Sequence, residues 1–190
     1  DYESIVSTQA YHPFILVKYN SFYKVQWYLT FDGASALDYL DVLSLEQPNT
    51  TVTEKIAIVC GDYDSSARIS RNGQFISYLE RVSAAALYHH FITVVNEKGF
   101  IKWAKIIHVL RIGSESGTLN ILGMILMNNS PLSQQQTSSR ASAYLCGRVN
   151  GRLFISSQEV FAAPVLTYFI ARFEVEDGSL IYARPLPFNT

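Results

Sequence analysis

Hydrophobic and polar residues alternate over Lys24 to Phe31, with Val25, Trp27, Leu29 and Phe31 on one side and Lys24, Gln26, Tyr28 and Thr30 on the other. A period of two marks a half-buried strand whose apolar set lines a core, and Asp32-Gly33 ends it with turn chemistry. Phe91 to Val95 and Phe100 to Ala104 are β-prone runs joined through Asn96-Glu97-Lys98-Gly99, which predicts a hairpin. Further strands are expected over Ile106–Ile112, Leu119–Met127, Arg140–Val149 and Leu166–Val175. After the Asp177-Gly178 turn, Leu180-Ile181-Tyr182 makes another. Leu119 to Met127 is apolar on both alternating faces, with Leu119, Ile121 and Ile125 opposite Leu122, Met124 and Leu126. Such a strand lies between two layers or has its outer face covered by another subunit. Arg184-Pro185-Leu186-Pro187 reads as an extended tail without regular pairing.

Helical patterning is weaker. Phe75, Leu79, Val82, Ala86 and Leu87 sit at helical spacing within Gln74 to His90, and Ala84-Ala85-Ala86 are good helix formers. Ala36 to Leu45 fits either a short helix or a strand. Ser133 to Ser139, with Gln134-Gln135-Gln136, is a polar loop between strands. No internal repeat and no dividing linker is evident. Many strands, few helices and regular turn signals predict one all-β domain over residues 1–190, an antiparallel sandwich or barrel. No Gly-rich phosphate loop follows a strand, which argues against a nucleotide-binding α/β fold.

Composition sharpens this picture. The 190 residues carry Lys plus Arg 15 against Asp plus Glu 16, a formal charge of −1, so the chain is not a basic nucleic-acid binder standing alone. Charged residues are only 16% and aromatic residues 13%, which leaves little to solvate the surface and implies burial against partners. Cys60 and Cys146 are too few for a disulfide-dense scaffold or a four-thiolate zinc site; one bridge between them is the alternative to the favoured reading of two free buried thiols in a reducing compartment. No run reaches the roughly 20 apolar residues of a membrane span. With no signal peptide and no initiating Met, the expected origin is a domain cut from a longer chain, a trimmed chain or a product of proteolysis.

The candidate chemistry is sparse. His89 and His90 are adjacent, so in a strand they point apart and do not chelate together. They read as a surface or interface pair, and His12 and His108 as partly buried histidines. Gly113-Ser114-Glu115-Ser116-Gly117 has Glu115 where a nucleophile elbow needs Ser, and it reads as a turn. Cys146, mid-strand beside Tyr144, Leu145 and Val149, reads as a core thiol. Asp62 and Asp64 with Ser65-Ser66 offer oxygen atoms to a hard cation but lack calcium-hand spacing, so a solvated turn is favoured. Asn49-Thr50-Thr51 and Asn128-Asn129-Ser130 match the glycosylation sequon, which carries no weight in a chain that is not secreted. Lys18, Lys24, Arg140, Arg148, Arg152 and Arg172 are scattered, so any polynucleotide contact is weak and depends on many copies. No catalytic residue, metal site or cofactor is expected.

The order of segments resembles picorna-like virus coat proteins. Asn20-Ser21-Phe22-Tyr23-Lys24-Val25-Gln26-Trp27-Tyr28-Leu29-Thr30-Phe31-Asp32-Gly33 is similar to their aromatic, Ser-led strand, preceded by the lead-in Pro13 to Tyr19. Ser116-Gly117-Thr118-Leu119 running to Met127-Asn128-Asn129 resembles the penultimate strand. Ala141 to Phe154 resembles the last strand with its polar turn. The likeness spans residues 13 to 155, with Asn20 in place of the usual Gly and Tyr19 in place of a Trp. It implies an antiparallel eight-stranded jelly-roll β-sandwich with short helices in its loops, an N-terminal arm over 1–12 and a C-terminal extension over 176–190. The chain is more similar to the small coat proteins of plant secovirus-type particles than to animal virus chains, with insect picorna-like viruses the other option. The implied function is that of a structural capsid protein with no active site, one building block of a small icosahedral shell. Its partners are copies of itself, sister coat proteins and, weakly and non-specifically, packaged RNA. It would be assembled in the host cytoplasm into a virion, with no membrane contact. A different class of function fits a secreted β-sandwich that binds a carbohydrate or acts as a trimeric cytokine-like module, with Tyr19, Tyr23 and Tyr28 as an aromatic platform.

Overall fold

The computed structural model describes residues 14–46, 53–80, 89–113, 117–129 and 140–187. They form ten strands: β1 (Phe14–Tyr19), β2 (Val25–Glu46), β3 (Thr53–Arg71), β4 (Gln74–Glu80), β5 (His89–Val95), β6 (Ile101–Leu110), β7 (Thr118–Asn129), β8 (Arg140–Ile155), β9 (Gln158–Glu174) and β10 (Leu180–Pro185). Hydrogen bonding runs along β1-β2-β3-β5-β6-β8-β9-β10, with β4 on β3 and β7 on β8. Every pairing is antiparallel. The fold is therefore all-β, as its alternating pattern predicts. Jelly-roll connectivity and short helices are not found among the described residues. Each pairing joins strands that are consecutive or next but one in the chain, whereas Greek-key folds bring distant strands side by side.

The longest strands bend from one layer into the next. β2 pairs with β3 first at Leu29 to Asp32 opposite Arg71 to Arg68, shifts register at Gly33, and resumes from Ala34 to Glu46. On its other edge, β3 gives residues 66–71 to β4 and 57–63 to β5. The second hairpin repeats this plan. Residues 152–155 of β8 pair with β6, residues 140–150 pair with β7, and β9 runs along the opposite edge of both parts. Three stacked layers result. The first holds β1, residues 25–32 and 66–71, and β4. The second holds residues 34–46 and 53–63, β5, β6, and residues 151–155 and 158–163. The third holds β7, residues 140–150 and 167–174, and β10.

Two cores fill the spaces between layers. Leu29, Phe31, Ala67, Ile69 and Leu79 of the first layer meet Val59, Tyr63, Phe91 and Val95 of the second. On its opposite face the second layer offers Ile56, Ile58, Cys60, Ile92, Val94 and Trp103 to Ala143, Leu145, Phe169, Ala171 and Phe173 of the third. β5 is buried at every position because both of its faces are covered. Tyr39 Oη donates to Ile121 O at 3.1 Å, and Leu126 N donates to Asp41 Oδ2 at 2.7 Å, so polar contacts also join the second and third layers.

The chain contains a structural repeat that its residue pattern does not announce. β2, β3, β4 and β5 correspond to β6 with β7, β8, the first part of β9 and its last part. Asn20 Oδ1 accepts from Phe22 N and Lys24 N, and Asn96 Oδ1 accepts from Lys98 N and Phe100 N, closing like turns. Trp27 Nε1 donates to Glu97 O at 2.9 Å, and Trp103 Nε1 donates to Val175 O at 2.7 Å. Beneath these rings lie Gly99 (φ 81°) and Gly178 (φ 72°), where a Cβ would stand 2.7 Å and 2.6 Å from the Trp27 and Trp103 indoles. Gly61 and Gly147 form another matched pair, each with a ring carbon of Phe91 or Phe169 less than 3.0 Å from where a Cβ would lie. The device recurs while most of the residues around it differ, and that hides it from a search for sequence repetition.

Several local expectations need correction. Residues 74–80 are strand β4 and residues 89–90 open β5, while Ala84-Ala85-Ala86 lie outside the described residues. The helical spacing of Phe75 and Leu79 is overridden by pairing with β3. Ala36 to Leu45 is strand throughout. Val25 is exposed although Trp27, Leu29 and Phe31 are buried, because the register shifts beside Val25 where β1 ends. In β7, Leu119, Ile121 and Leu126 face inward and Ile125 outward. A register shift between Ile121 and Gly123 inserts one residue and reverses the alternation. Pro185 pairs with Phe169, since β10 lies at a sheet edge where the missing N–H is not needed, so part of the expected C-terminal extension is sheet. The expected arm over 1–12, the loop Ser133–Ser139, Ser114 to Ser116, Ser130 and Asn49-Thr50-Thr51 lie outside the described residues.

Candidate functional site

His89 and His90 are both buried, not superficial, because β5 is the interior strand of the middle layer. As alternation requires, they serve opposite faces. Tyr63, His89, His108 and Phe154 stand in register across β3, β5, β6 and β8. Successive ring centroids are 5.3, 6.0 and 5.0 Å apart. Burial holds the His108 imidazole below its ordinary pKa and hence in the neutral form. Tyr63 Oη donates to Glu80 O at 3.1 Å. This row is a packing ladder that joins the first repeat to the second.

On the other face, His90 meets Asp62 on β3 and Asp38 on β2. Asp62 is paired with His90 across the strands, and Asp38 is the extra residue at the register shift between Leu37 and Tyr39. A bulge re-aims its side chain toward the neighbouring row. One ligand atom from each of the three lies within 4.8 Å of the others. His90 Nδ1 and Asp62 Oδ1 are in direct contact, yet neither atom has a hydrogen bond of acceptable geometry. Partial burial and the nearby Asp62 carboxylate raise the Asp38 carboxyl above its ordinary pKa. The sequence places Asp62 beside Asp64 as possible oxygen donors in a turn, whereas the structure joins it to Asp38 and His90. The missing signal was register. Three residues far apart in the chain meet only through two strand pairings and a bulge.

Arginines that look scattered in the chain gather on the outer face of the third layer. Arg172 pairs with Tyr144 and Tyr182, Arg148 with Tyr168, and Arg184 with Ile170, so all share one face. The Arg172 guanidinium lies 5.7 Å from the Tyr144 ring centroid and donates to Ser142 Oγ at 3.0 Å. Arg184 lies 5.2 Å from the Tyr182 centroid. Ile125 and Met127 extend the face and are about half exposed, at 51% and 47%. Cys146 belongs to it and is exposed, not a core thiol, whereas its counterpart Cys60 is buried with its thiol pKa pushed up by burial. Neither cysteine is bridged.

At the other end, Phe22 and Tyr23 crown the β1–β2 turn at 78% and 88% exposure, with Tyr19 also exposed. A groove of about 700 Å³ lies between this hairpin and the β5–β6 turn. Two of its cationic side chains are already engaged. Lys18 Nζ is 3.3 Å from Glu97 Oε1, lowering the Glu97 pKa, and Arg71 donates to Lys98 O at 2.8 Å while lying over the Phe100 ring. No family model, curated protein or solved structure matches the chain.

Proposed function

We propose that this chain works by association and not by catalysis, docking an acidic protein surface on the outer face of its third layer. The observation that carries the reading is positional. Tyr144, Cys146, Ile170 and Arg172 occupy the places that Ile58, Cys60, Ile92 and Val94 occupy in the first repeat, where a whole layer packs. The face thus has the shape of a covered one but bears Tyr and Arg, the residue types enriched in interface centres. Arg148, Arg172 and Arg184 against Glu174 give it a positive balance that suits carboxylates.

The coat-subunit reading, with sister chains around RNA in a virion, is the second possibility. The same Arg and Tyr side chains favour it, since they suit phosphates and unpaired bases. Its jelly-roll basis has no support in the neighbour pairing of the strands. The secreted ligand-binding alternative is supported only by the exposed Phe22, Tyr23 and Tyr19.

Sedimentation of the native protein from its source, beside an Arg172→Glu variant, tests these readings. A protein-only complex that Arg172→Glu dissociates is the expected result. A megadalton particle with nucleic-acid absorbance would establish the coat reading instead. A monomer indifferent to the substitution would overturn both.

A further inference from the structure

We infer that Asp38, Asp62 and His90 form a binding site for a first-row divalent transition-metal ion, with two carboxylate oxygens and one imidazole nitrogen as ligands. The site is separate from the docking face and does not depend on it. Three observations support it together.

The first is convergence. The donors come from three adjacent strands of the buried middle layer, and their ligand atoms lie within 4.8 Å of one another. Ligands about 2.0–2.2 Å from an ion stand at most about 4.4 Å apart, so small side-chain rotations close the set. It is the one such group among the described residues.

The second is a buried imidazole that touches a carboxylate but makes no hydrogen bond of acceptable geometry. The His90 side chain is only 7% exposed, and neither of its ring nitrogens has a hydrogen bond. Buried imidazole nitrogens are ordinarily paired. Nδ1 instead faces Asp62 Oδ1, itself buried and without a hydrogen bond. A cation bound by both atoms, with the two side chains parted by small rotations to admit it, would satisfy them and offset the repulsion between the two carboxylates.

The third comes from the repeat. Arg148 and Tyr168 occupy the positions of Asp62 and His90 in the second repeat. The fold builds the same strand pairing there without any acid or imidazole, so packing alone does not call for this set. Asp38 is exposed, which gives an ion a route from solvent. One imidazole with two carboxylates suits zinc, manganese or iron better than calcium, which prefers six to eight oxygens. Three protein ligands leave coordination positions for water.

Isothermal titration of the whole chain with ZnCl2 tests this site, using wild type, Asp38→Asn and His90→Gln. Wild type is expected to bind one equivalent and to gain thermal stability on binding. Asp38→Asn should weaken binding by about tenfold or more while leaving the metal-free melting temperature nearly unchanged, since Asp38 is exposed. It therefore tests the site even if His90→Gln, at a buried position, fails to fold. Absence of saturable binding, or one-equivalent binding that Asp38→Asn leaves unchanged, would overturn the inference.

Discussion

The two repeats share a backbone plan and differ in what their corresponding faces meet. In the first, Ile56, Ile58, Cys60, Ile92 and Val94 lie sealed beneath the third layer. In the second, the same places hold Ser142, Tyr144, Cys146, Ile170 and Arg172. There Arg172 lies over a tyrosine ring and Cys146 is exposed. Strand pairing is thus indifferent to the side chains on this face, and the covering layer sets their polarity. A dry neighbour selects aliphatic side chains because burying an unpaired polar group is costly. An open face can carry Arg and Tyr, whose stems and rings shield the sheet while their polar ends stay solvated.

Exchanging residues between the two faces should break this contrast most sharply. Val94→Arg places an unpaired cation between two layers and is expected to cost upwards of about 4 kcal/mol or to prevent folding. Arg172→Val should change stability by about 1 kcal/mol or less. Equal effects in urea unfolding would show that the faces are not differently covered. The shared device comes next. Trp103→Ala removes a buried indole and its bond to Val175 O, with an expected cost of about 3–5 kcal/mol. Trp27→Ala should fall in the same range, and a loss below about 1 kcal/mol at either tryptophan would contradict a repeated structural role.

Gly61→Ala and Gly147→Ala should each cost about 1–3 kcal/mol, because the new methyl meets a backbone oxygen and an aromatic ring. A smaller effect follows from the ladder between the repeats. His108 is neutral when folded, with its pKa held below the ordinary 6.5 by burial. As pH falls through 6.5 the unfolded chain takes up this proton first, so stability is lost from there down through the folded value. Urea midpoints measured at falling pH should show a steeper decline for wild type than for His108→Phe. Identical slopes would remove His108 from the acid response. Last, iodoacetamide should label Cys146 in the native protein and Cys60 only after unfolding. Native labelling of Cys60 would mean that the second and third layers do not stay closed.

The sequence made most strands legible. The strand from Val25 to Phe31 and the β5–β6 hairpin appear where the pattern puts them, because a two-residue period is a local property, but β2 runs on through Asp32-Gly33, where a turn is expected, with only a register shift there. The one-residue insertion at Leu122 is not legible in the pattern, and it turns Ile125 outward and Leu126 inward. Nor is the strand character of residues 74–80, where helical spacing lost to pairing with β3. The repeat left only sparse marks: Asn20 with Trp27, Asn96 with Trp103, and Cys-Gly at 60–61 and 146–147.

By itself the sequence determined an all-β chain, several of its turns and a sparsely charged, aromatic-rich character, because these follow from residue type and near-neighbour spacing. Only the tertiary structure decided which strands pair, which face of each is covered, and that Asp38, Asp62 and His90 meet. Those outcomes depend on register between segments distant in the chain, where a shift of one residue turns a side chain from core to solvent.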